Sequence, residues 1–479
     1  MTETVTAAQL FCGPEGGLLS NAAIEHGGGT IAAIRQEIAA SGPRRFVVPA
    51  LVNAHDHARP TASSFGAANL PLETWIFRSA FGSWPDPYLA AASALARCAR
   101  SGCAAMMLHH TRPSGTMGLV DEARAIARAA VDVGIRIAFA LAVRDQNPIV
   151  YGDGAPVLTA LPGEDRKVIE DLFVRPAMPP RDYVALVEEI AAAIGGPLVD
   201  VQFGPAGVQW CSRPLLEAIA ERSAATGRRI HMHLLETKYQ RAWADQTFPQ
   251  GIVRHLKEIG LLSERLTLAH CVHARPDELD LIAESGARIV TNFSSNLHLH
   301  SGLGPIAEAH RRGCAIAVGV DGMALDEDDD AIREMRLVQL AHDGTGFDRT
   351  WSRSAFFGLA VANGRKAVGA PGTGALAAGA PADFTVLDLD RLDRDAIMPV
   401  DPLDLFFARG NASYVKDVVV AGRTIVHDGV PTGVDLPAME KELRALYRKN
   451  VGTLGGFERA WKPFAAATES WFRTHCGCG

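Results

Sequence analysis

The sequence feature that most constrains the fold is a series of apolar, strand-like runs that end in metal-seeking or proton-handling side chains. Residues 46–54 form the first run, and His55 and His57 close it. Because side chains alternate across a strand, His55 and His57 are expected to project to the same side and to reach one metal ion through imidazole nitrogens. Two histidines with this spacing also occur by chance, so the pair alone does not establish a metal site.

Three later apolar runs end in the same kind of side chain. They close at His233, His270 and Asp321. Each residue alone has an ordinary explanation, because a strand-end aspartate often caps the following helix and a lone histidine is often buried in the core. Four such runs in one chain predict that their ends share a metal site.

The order of these runs predicts a parallel α/β fold. Between residues 45 and 368, short apolar runs alternate with longer helical patterns, which is typical of parallel strands joined by crossover helices. Eight strands are predicted, at residues 46–57, 104–109, 135–142, 198–203, 230–233, 266–270, 287–292 and 315–321. Helical patterns are clearest at residues 87–101, 120–133, 181–194, 213–226 and 329–341. Eight strand–helix units predict a (β/α)8 TIM-type barrel, whose functional residues gather at the carboxyl ends of the strands.

The two ends of the chain predict a second, smaller unit. Residues 1–44 and 372–435 contain short alternating apolar runs separated by glycine-containing turns. Neither segment is large enough to bury a core alone, so we expect both to join in one small β-sandwich beside a barrel of residues 45–371. Residues 436–479 carry helical spacing and are expected to pack against the barrel or against a second subunit.

Charge and hydropathy argue against several classes of partner. The net charge is −7 and the pI is about 6.2, and no basic stripe is present to neutralise nucleic-acid phosphates. No apolar stretch has membrane-spanning length, and the first residues lack a signal pattern, so we expect a soluble cytoplasmic protein. We expect a small-molecule substrate and a homodimer.

The eight cysteines do not indicate a disulfide framework. Those that lie in apolar runs, as reduced core thiols do, are Cys98, Cys103, Cys211, Cys271 and Cys314. Cys476 and Cys478 near the chain end could hold a soft metal, although terminal residues are commonly frayed.

Five segments resemble the amidohydrolase superfamily, and within it the group of cytosine, guanine and S-adenosylhomocysteine deaminases that includes the triazine hydrolases. These segments are residues 49–57, 233–237, 269–273, 294–302 and 319–322, and residues 379–387 are similar to the return strand of the family. The resemblance spans nearly the whole chain, to about residue 429. It implies a barrel with a small β-sandwich formed by both chain ends.

The resemblance implies one divalent metal ion held by His55, His57, His233 and Asp321. Zinc at such a site would lower the pKa of its water from about 15.7 to about 7. Three imidazoles and one carboxylate also suit iron, although Zn²⁺ is the expected ion. Residues 198–205 lack the lysine that bridges two ions in binuclear relatives, which implies a mononuclear site.

Three residues complete the chemistry that the resemblance implies. Glu236 follows His233 by three residues, and the matching glutamate of the family protonates a ring nitrogen and shuttles protons. Asp321 matches the aspartate that orients and deprotonates the water. His270 matches the residue that polarises the hydroxide or the developing oxyanion.

Further polar and aromatic residues are candidates for substrate contact. Arg59 could pair with a carboxylate or an enolic oxygen, or could form a structural ion pair instead. Trp75 and Trp210 could stack on a planar heterocycle, although large aromatic residues are commonly core residues. The other candidates, at or near strand ends, are His109, Gln202, Asn296 and His300. His231 is expected to point away from His233 and to lie behind the site.

These observations predict a metal-dependent aminohydrolase that releases ammonia from an aminated nitrogen heterocycle or a related amidine. The same metal chemistry would also serve a triazine-type chlorohydrolase or alkylaminohydrolase, a cyclic amide hydrolase or a formimino deiminase. A metal-free scaffold protein would have lost ligands, whereas this chain keeps all of them. Residues 58–64 and 323–326 differ from the common family pattern, so the resemblance does not identify the substrate.

Overall fold

The computed structural model describes residues 2–38, 42–58, 69–82, 86–322 and 328–476. Four features singled out above lie outside the described residues: the candidate Arg59, the segment 58–64 beyond Ala58, the segment 323–326 and the terminal Cys478.

Strands and helices alternate through the middle of the chain, strands predominate before it and again between residues 384 and 431, and the last elements are helices. The strands are β1 (Glu3–Phe11), β2 (Leu18–Gly27), β3 (Thr30–Arg35), β4 (Arg45–Pro49), β5 (Leu51–Asn53), β6 (Cys103–His110), β7 (Arg136–Val143), β8 (Val199–Pro205), β9 (Ile230–Leu234), β10 (Leu266–His270), β11 (Arg288–Thr291), β12 (Ala315–Val318), β13 (Gly344–Thr345), β14 (Asp348–Arg349), β15 (Phe384–Asp388), β16 (Val415–Val420), β17 (Arg423–His427) and β18 (Val430–Pro431). The α-helices are α1 (Leu72–Arg78), α2 (Pro87–Arg100), α3 (Leu119–Val133), α4 (Ala155–Thr159), α5 (Gly163–Phe173), α6 (Pro180–Ile194), α7 (Arg213–Thr226), α8 (Lys238–Thr247), α9 (Ile252–Glu258), α10 (Pro276–Ser285), α11 (Phe293–His298), α12 (Ile306–Arg311), α13 (Ala331–His342), α14 (Arg353–Ala367), α15 (Leu389–Leu392), α16 (Pro402–Arg409), α17 (Leu436–Val451) and α18 (Gly455–His475).

Strands β5 to β12 form the barrel. Each is parallel to its neighbours, and their order around the sheet is their order in the chain. Two backbone hydrogen bonds link the last strand to the first: Ala54 N donates to Val318 O at 3.0 Å, and Asp321 N donates to His55 O at 2.9 Å. The predicted (β/α)8 barrel is therefore confirmed, and its closure brings the ends of β5 and β12 together.

The first predicted strand is divided in the structure. Residues 46–57 were expected to form one strand, but β4 ends at Pro49 and β5 begins at Leu51. Strand β4 pairs with β1 and β15 outside the barrel, whereas β5 pairs with β6 inside it. The chain changes sheets at this point because Pro49 has no N–H to donate and cannot continue a central ladder.

The remaining strands of the two chain ends join in one sheet. Its order is β18, β17, β16, β15, β4, β1, β2 and β3, so segments far apart in sequence meet at β15 and β4. The sheet encloses a hydrophobic core of its own, with Ile24, Val47, Phe384 and Val419 among its buried members. This arrangement agrees with the expectation that neither end folds alone. The domain boundaries at residues 44 and 371 stay predictions.

The predicted helices agree with the structure to within two residues at each end. Ser212 begins α7 by accepting a hydrogen bond from Leu215 N, and Gly227 ends it with a left-handed φ of 73°. A serine at the start and a glycine at the end are common helix caps, which explains why the sequence located this helix well.

The C-terminal helix α18 packs over the region where the strands of the barrel end. Its aromatic side chains Phe457, Phe464 and Phe472 join a core cluster that also contains Trp75 and Trp210. The helical tail thus packs against the barrel side of the molecule, one of its two expected uses. Among the described residues, no helix combines the length and apolarity needed to cross a bilayer.

Candidate metal centre

Three imidazoles and one carboxylate converge at the carboxyl end of the barrel. Asp321 Oδ1 lies 3.3 Å from His55 Nε2 and 3.1 Å from His57 Nε2. His233 Nε2 lies 3.3 Å from His57 Nε2. All four side chains are buried. These are the ligands implied by the resemblance, and the structure brings them together from β5, β9 and β12.

This donor set fits a divalent metal ion. Imidazole nitrogen and carboxylate oxygen are common ligands of zinc and iron. His55 Nε2 is buried and has no hydrogen-bond partner among the described residues, which a metal ion would supply. Burial and the neighbouring histidines hold the pKa of His233 well below its usual value, so this imidazole is neutral and can donate a lone pair.

Backbone carbonyls orient two of the imidazoles. His57 Nδ1 lies 2.8 Å from the carbonyl oxygen of His109, and His233 Nδ1 lies 2.7 Å from that of Ala206. Because a carbonyl only accepts, each Nδ1 carries the hydrogen and each Nε2 presents its lone pair to the metal position.

His231 orients the third imidazole. Its Nε2 lies 2.7 Å from His55 Nδ1, and the two rings stack with centroids 4.9 Å apart. His231 is fully buried, and the expectation that it points away from His233 was wrong: residues two apart in a strand share a face, so both side chains project from the same face of β9 and contact His55. The histidine that does not reach the metal position thus supports one that does.

The close approach of β12 to His55 requires a glycine. A Cβ at Gly319 would lie 2.4 Å from Asn292 Oδ1 and 2.8 Å from the backbone nitrogen of His55. No side chain tolerates such contacts, so Gly319 permits the barrel to close at the site.

Glu236 and His270 lie next to Asp321, beside the other candidate metal ligands. His270 Nε2 lies 3.8 Å from Glu236 Oε2 and 4.0 Å from Asp321 Oδ2. Asn296 Oδ1 holds His270 Nδ1 at 2.8 Å, and the hydroxyl of Ser295 donates to Asp321 Oδ2 at 2.6 Å. Two proton-handling side chains therefore face the same point as the predicted metal ligands.

The electrostatics of the site keep Asp321 ionised. Burial alone would raise the pKa of this carboxyl, but the contacts with His55 and His57 outweigh burial and hold the pKa well below its usual value. An ionised carboxylate is the form that binds a metal ion or accepts a proton from water.

The backbone at the strand ends adopts an uncommon conformation. His270 has a φ of 74° and Asp321 a φ of 66°, both in the left-handed region. For residues other than glycine this conformation costs about 1–2 kcal/mol each, and it is typical of functional sites held by their surroundings. It directs both side chains towards the mouth of the barrel.

A cavity of about 730 Å³, including its opening to solvent, lies over this cluster. Its polar floor includes His57, His233, Glu236, His270 and Asp321. Trp75 and Trp210 contribute apolar walls, as expected for residues that stack on a planar substrate. Apolar walls with a few convergent polar groups are typical of a small-molecule site.

Four of the predicted substrate contacts do not line this cavity. Gln202 donates its amide to Asp200 Oδ2 at 2.8 Å and to Ala367 O at 2.9 Å, and these partners hold it away from the cavity. Asn296 holds His270 from behind.

The other two are histidines with partners elsewhere. His109 is fully buried, with its Nε2 3.2 Å from Gly204 O, so it packs behind the ligand rings. His300 follows α11, lies 2.9 Å from Asn69 Oδ1 and lines a separate surface cavity. The structure thus supports Trp75 and Trp210 as cavity residues. The other four candidates do not line the cavity and are held by hydrogen bonds to other residues.

The sequence analysis missed several polar residues of the cavity wall, and three of them follow barrel strands. Thr111 and Arg112 follow β6, and Arg144 follows β7. Each stands just beyond the carboxyl end of a barrel strand, and that position alone could have identified them.

Comparison with known proteins agrees with this arrangement. A profile described as the amidohydrolase family matches residues 46–425. The chain belongs to this family. A 5-methylthioadenosine/S-adenosylhomocysteine deaminase of Nitratidesulfovibrio vulgaris (strain Miyazaki F) is 30% identical over 86% of this chain and 86% of its own length. A 5'-deoxyadenosine deaminase of Methanothermobacter thermautotrophicus is 27% identical over 81% of this chain and 83% of its own.

Solved structures share the fold of this amidohydrolase. Atrazine chlorohydrolase from Arthrobacter aurescens TC1 in complex with zinc aligns with a TM-score of 0.77 at 22% identity, covering 93% of this chain and 99% of that one. An adenosine deaminase from Xanthomonas campestris with bound zinc aligns with a TM-score of 0.78 at 21% identity, covering 94% and 98%. Family membership and the named relatives make this amidohydrolase a metal-dependent hydrolase that acts on carbon–nitrogen bonds.

Proposed function

We propose that this amidohydrolase is a zinc-dependent deaminase that releases ammonia from an aminated nitrogen heterocycle. The observation that carries the proposal is the placement of Glu236 and His270 beside the four candidate ligands, on the floor of one cavity. Hydrolysis of an amidine C–N bond needs a nucleophilic water and a proton donor for the departing nitrogen. Both requirements are met by side chains that face the same point.

The candidate ligands are His55, His57, His233 and Asp321. A zinc ion bound there would supply the Lewis acidity that makes water a nucleophile near neutral pH. Asp321, held ionised, accepts the proton of the attacking water through its carboxylate. We propose a single ion, because the four groups share one contact region.

Glu236 and His270 have separate proposed roles. Glu236 is buried at the cavity floor, where its carboxyl group can protonate a ring nitrogen and then the leaving amine. His270, whose Nδ1 is held by Asn296, directs Nε2 towards the developing oxyanion. Trp75 and Trp210 would hold the planar ring between apolar walls and exclude water.

An adenosine derivative is the first substrate class to test. The relatives named above are deaminases of 5-methylthioadenosine, S-adenosylhomocysteine and 5'-deoxyadenosine, and the two tryptophans suit a purine ring. A cytoplasmic homodimer also stays part of the proposal. Light scattering and cell fractionation are its tests.

Ammonia release measured on the zinc-loaded enzyme tests the reaction. The panel contains 5'-methylthioadenosine, S-adenosylhomocysteine, 5'-deoxyadenosine, pterins, oxopurines, pyrimidines, triazines and formimino compounds. We expect ammonia from at least one aminated heterocycle. Release of chloride or an alkylamine, or opening of a cyclic amide, without ammonia from any compound would replace deamination by hydrolysis of another leaving group.

A further inference from the structure

Arg144 is a cavity residue that the deamination chemistry leaves without a role. It directly follows β7 and lines the cavity, and its side chain is exposed to that space. It makes no hydrogen bond or ion pair with any residue that the structure describes. A guanidinium has five donors and is permanently charged, so an arginine that faces a cavity without such a partner is available to an anionic ligand.

Asp145, the acidic residue next to Arg144 in the sequence, already has hydrogen-bond partners. Asp145 accepts hydrogen bonds from the backbone nitrogen and the hydroxyl of Ser212, at 2.6 and 2.5 Å. Burial lowers the pKa of Arg144, and the opposing effect comes from Cys211 and not from a carboxylate. Within the part of the chain that the structure describes, no carboxylate therefore pairs with this positive charge.

The segment that carries Arg144 is firmly held. Asp145 N donates to Trp210 O at 3.0 Å, Gln146 Nε2 to Cys211 O at 3.1 Å and Asn147 Nδ2 to Gln209 O at 2.7 Å. These contacts join the segment after β7 to the loop that carries Trp210. Arg144 and Trp210 thus face the cavity from one hydrogen-bonded support, an arrangement suited to binding a ligand without reorganisation.

We propose that Arg144 binds a carboxylate of the substrate, so that the preferred substrate is an aminated heterocycle with a carboxylate substituent. This inference rests on the proposed deamination at the same site. A guanidinium can bind a carboxylate through two parallel hydrogen bonds, and the pair is strong when solvent is partly excluded. Among the described residues that line the cavity, the acids are Glu236 and Asp321, and both face the candidate metal position, so we assign the anion at Arg144 to the ligand. Arg112, which donates to Ile76 O, adds a second positive charge to this wall.

The test compares ligands that differ in a carboxylate. Binding is measured by calorimetry on the zinc-loaded E236Q variant, which holds ligands without turnover. One pair is pterin-6-carboxylate and pterin, and the other is S-adenosylhomocysteine and 5'-methylthioadenosine. In at least one pair we expect the carboxylate to improve binding about tenfold or more, the range of a hydrogen bond to a charged group.

Second-site variants in the E236Q background assign the preference to Arg144. R144M should remove the advantage of the carboxylate ligand and change binding of its neutral partner less than about twofold. R144K should retain part of the advantage of the carboxylate ligand, because the charge remains while the geometry for two parallel hydrogen bonds is lost. R124M is the control, since Arg124 lies on the exposed face of α3 and pairs with Asp121. Zinc content and circular dichroism confirm that each variant is folded.

Two results would overturn the inference. One is that neither carboxylate ligand binds more tightly than its neutral partner. The other is that the preference survives R144M. Failure of the proposed reaction is distinguishable: no ammonia from any compound, together with a preference that depends on Arg144, would reject deamination and leave the carboxylate site intact.

Discussion

The candidate centre depends on how each imidazole is held from behind. His57 and His233 face backbone carbonyls, whereas His55 faces the side chain of His231. A hydrogen bond to a backbone carbonyl remains possible when the side chain of that residue is replaced. The contact with the His231 side chain is lost when His231 is replaced. Among these three contacts, the one to His55 is therefore the contact that a mutation can remove directly.

Replacing His231 by alanine should weaken metal binding about 10–100-fold, because His55 Nδ1 loses the partner that sets its orientation. Competition with a zinc chelator measures the effect. H231Q, which retains a polar partner, should recover part of the affinity. H342A removes a buried histidine of α13 and should leave zinc affinity unchanged. Equal losses in H231A and H342A would contradict a specific role for His231.

Replacing Glu236 by glutamine should lower turnover by at least about 100-fold, because the amide cannot deliver a proton. Zinc content should stay near that of the unaltered enzyme, since the candidate ligands are other residues. Steady-state ammonia release and metal analysis on the same preparation provide the two measurements. Loss of zinc in E236Q would instead make Glu236 a metal ligand.

At the scale of elements, the cavity wall relies on the C-terminal helix. Phe472 of α18 contacts Tyr151 with ring centroids 5.0 Å apart, and Tyr151 contacts Trp210 at 5.8 Å. A tail that lies far from the histidines in sequence thus supports an aromatic residue of the cavity. Helix α18 therefore stabilises the part of the cavity wall that carries Trp210.

Replacing Phe472 by alanine should reduce the free energy of unfolding by about 3–5 kcal/mol, the usual cost of emptying a buried aromatic position. It should also raise KM more than it lowers kcat, because Trp210 loses its support while the metal ligands are untouched. Thermal melting and steady-state kinetics measure both effects. F347A is the control, because Phe347 is fully exposed. An unchanged KM in F472A would show that α18 does not support the cavity wall.

At the scale of the whole molecule, the candidate ligands connect three barrel strands. They come from the ends of β5, β9 and β12, and β12 is the strand that closes the barrel against β5. A metal ion bound by these groups would therefore link the first strand, a middle strand and the last. This geometry couples metal binding to the stability of the barrel.

Removal of the metal should lower the melting temperature of the protein, and added zinc should restore it. A ligand at 100 times its Kd stabilises the folded state by about 2.7 kcal/mol. Calorimetric scans before and after dialysis against a chelator, and after zinc is returned, measure the change. D321N should show a smaller difference between the two forms, because it lacks one charged ligand. Identical melting curves with and without zinc would contradict a bridging metal.

The sequence by itself determined the barrel and the residues that meet at its mouth. Apolar runs and helical spacing are local patterns, and the polar residue at the end of each run marks the carboxyl edge where parallel strands meet. These strand-end positions and the family resemblance together placed the candidate ligands His55, His57, His233 and Asp321 in one group. The position of His231, on the same face of β9 as His233 and against His55, agrees with alternation along the strand but was not predicted.

Only the tertiary structure decided how the chain changes sheets at Pro49, which side chains face the cavity and which support them. Gln202 and His300 seemed equivalent to Trp210 in sequence, yet hydrogen bonds to distant residues direct them elsewhere. The left-handed backbone of His270 and Asp321 and the position of Arg144 in the cavity wall depend likewise on neighbouring strands. Side-chain direction at a strand end is set by packing and hydrogen bonds between segments remote in sequence, and a local pattern carries no record of those contacts.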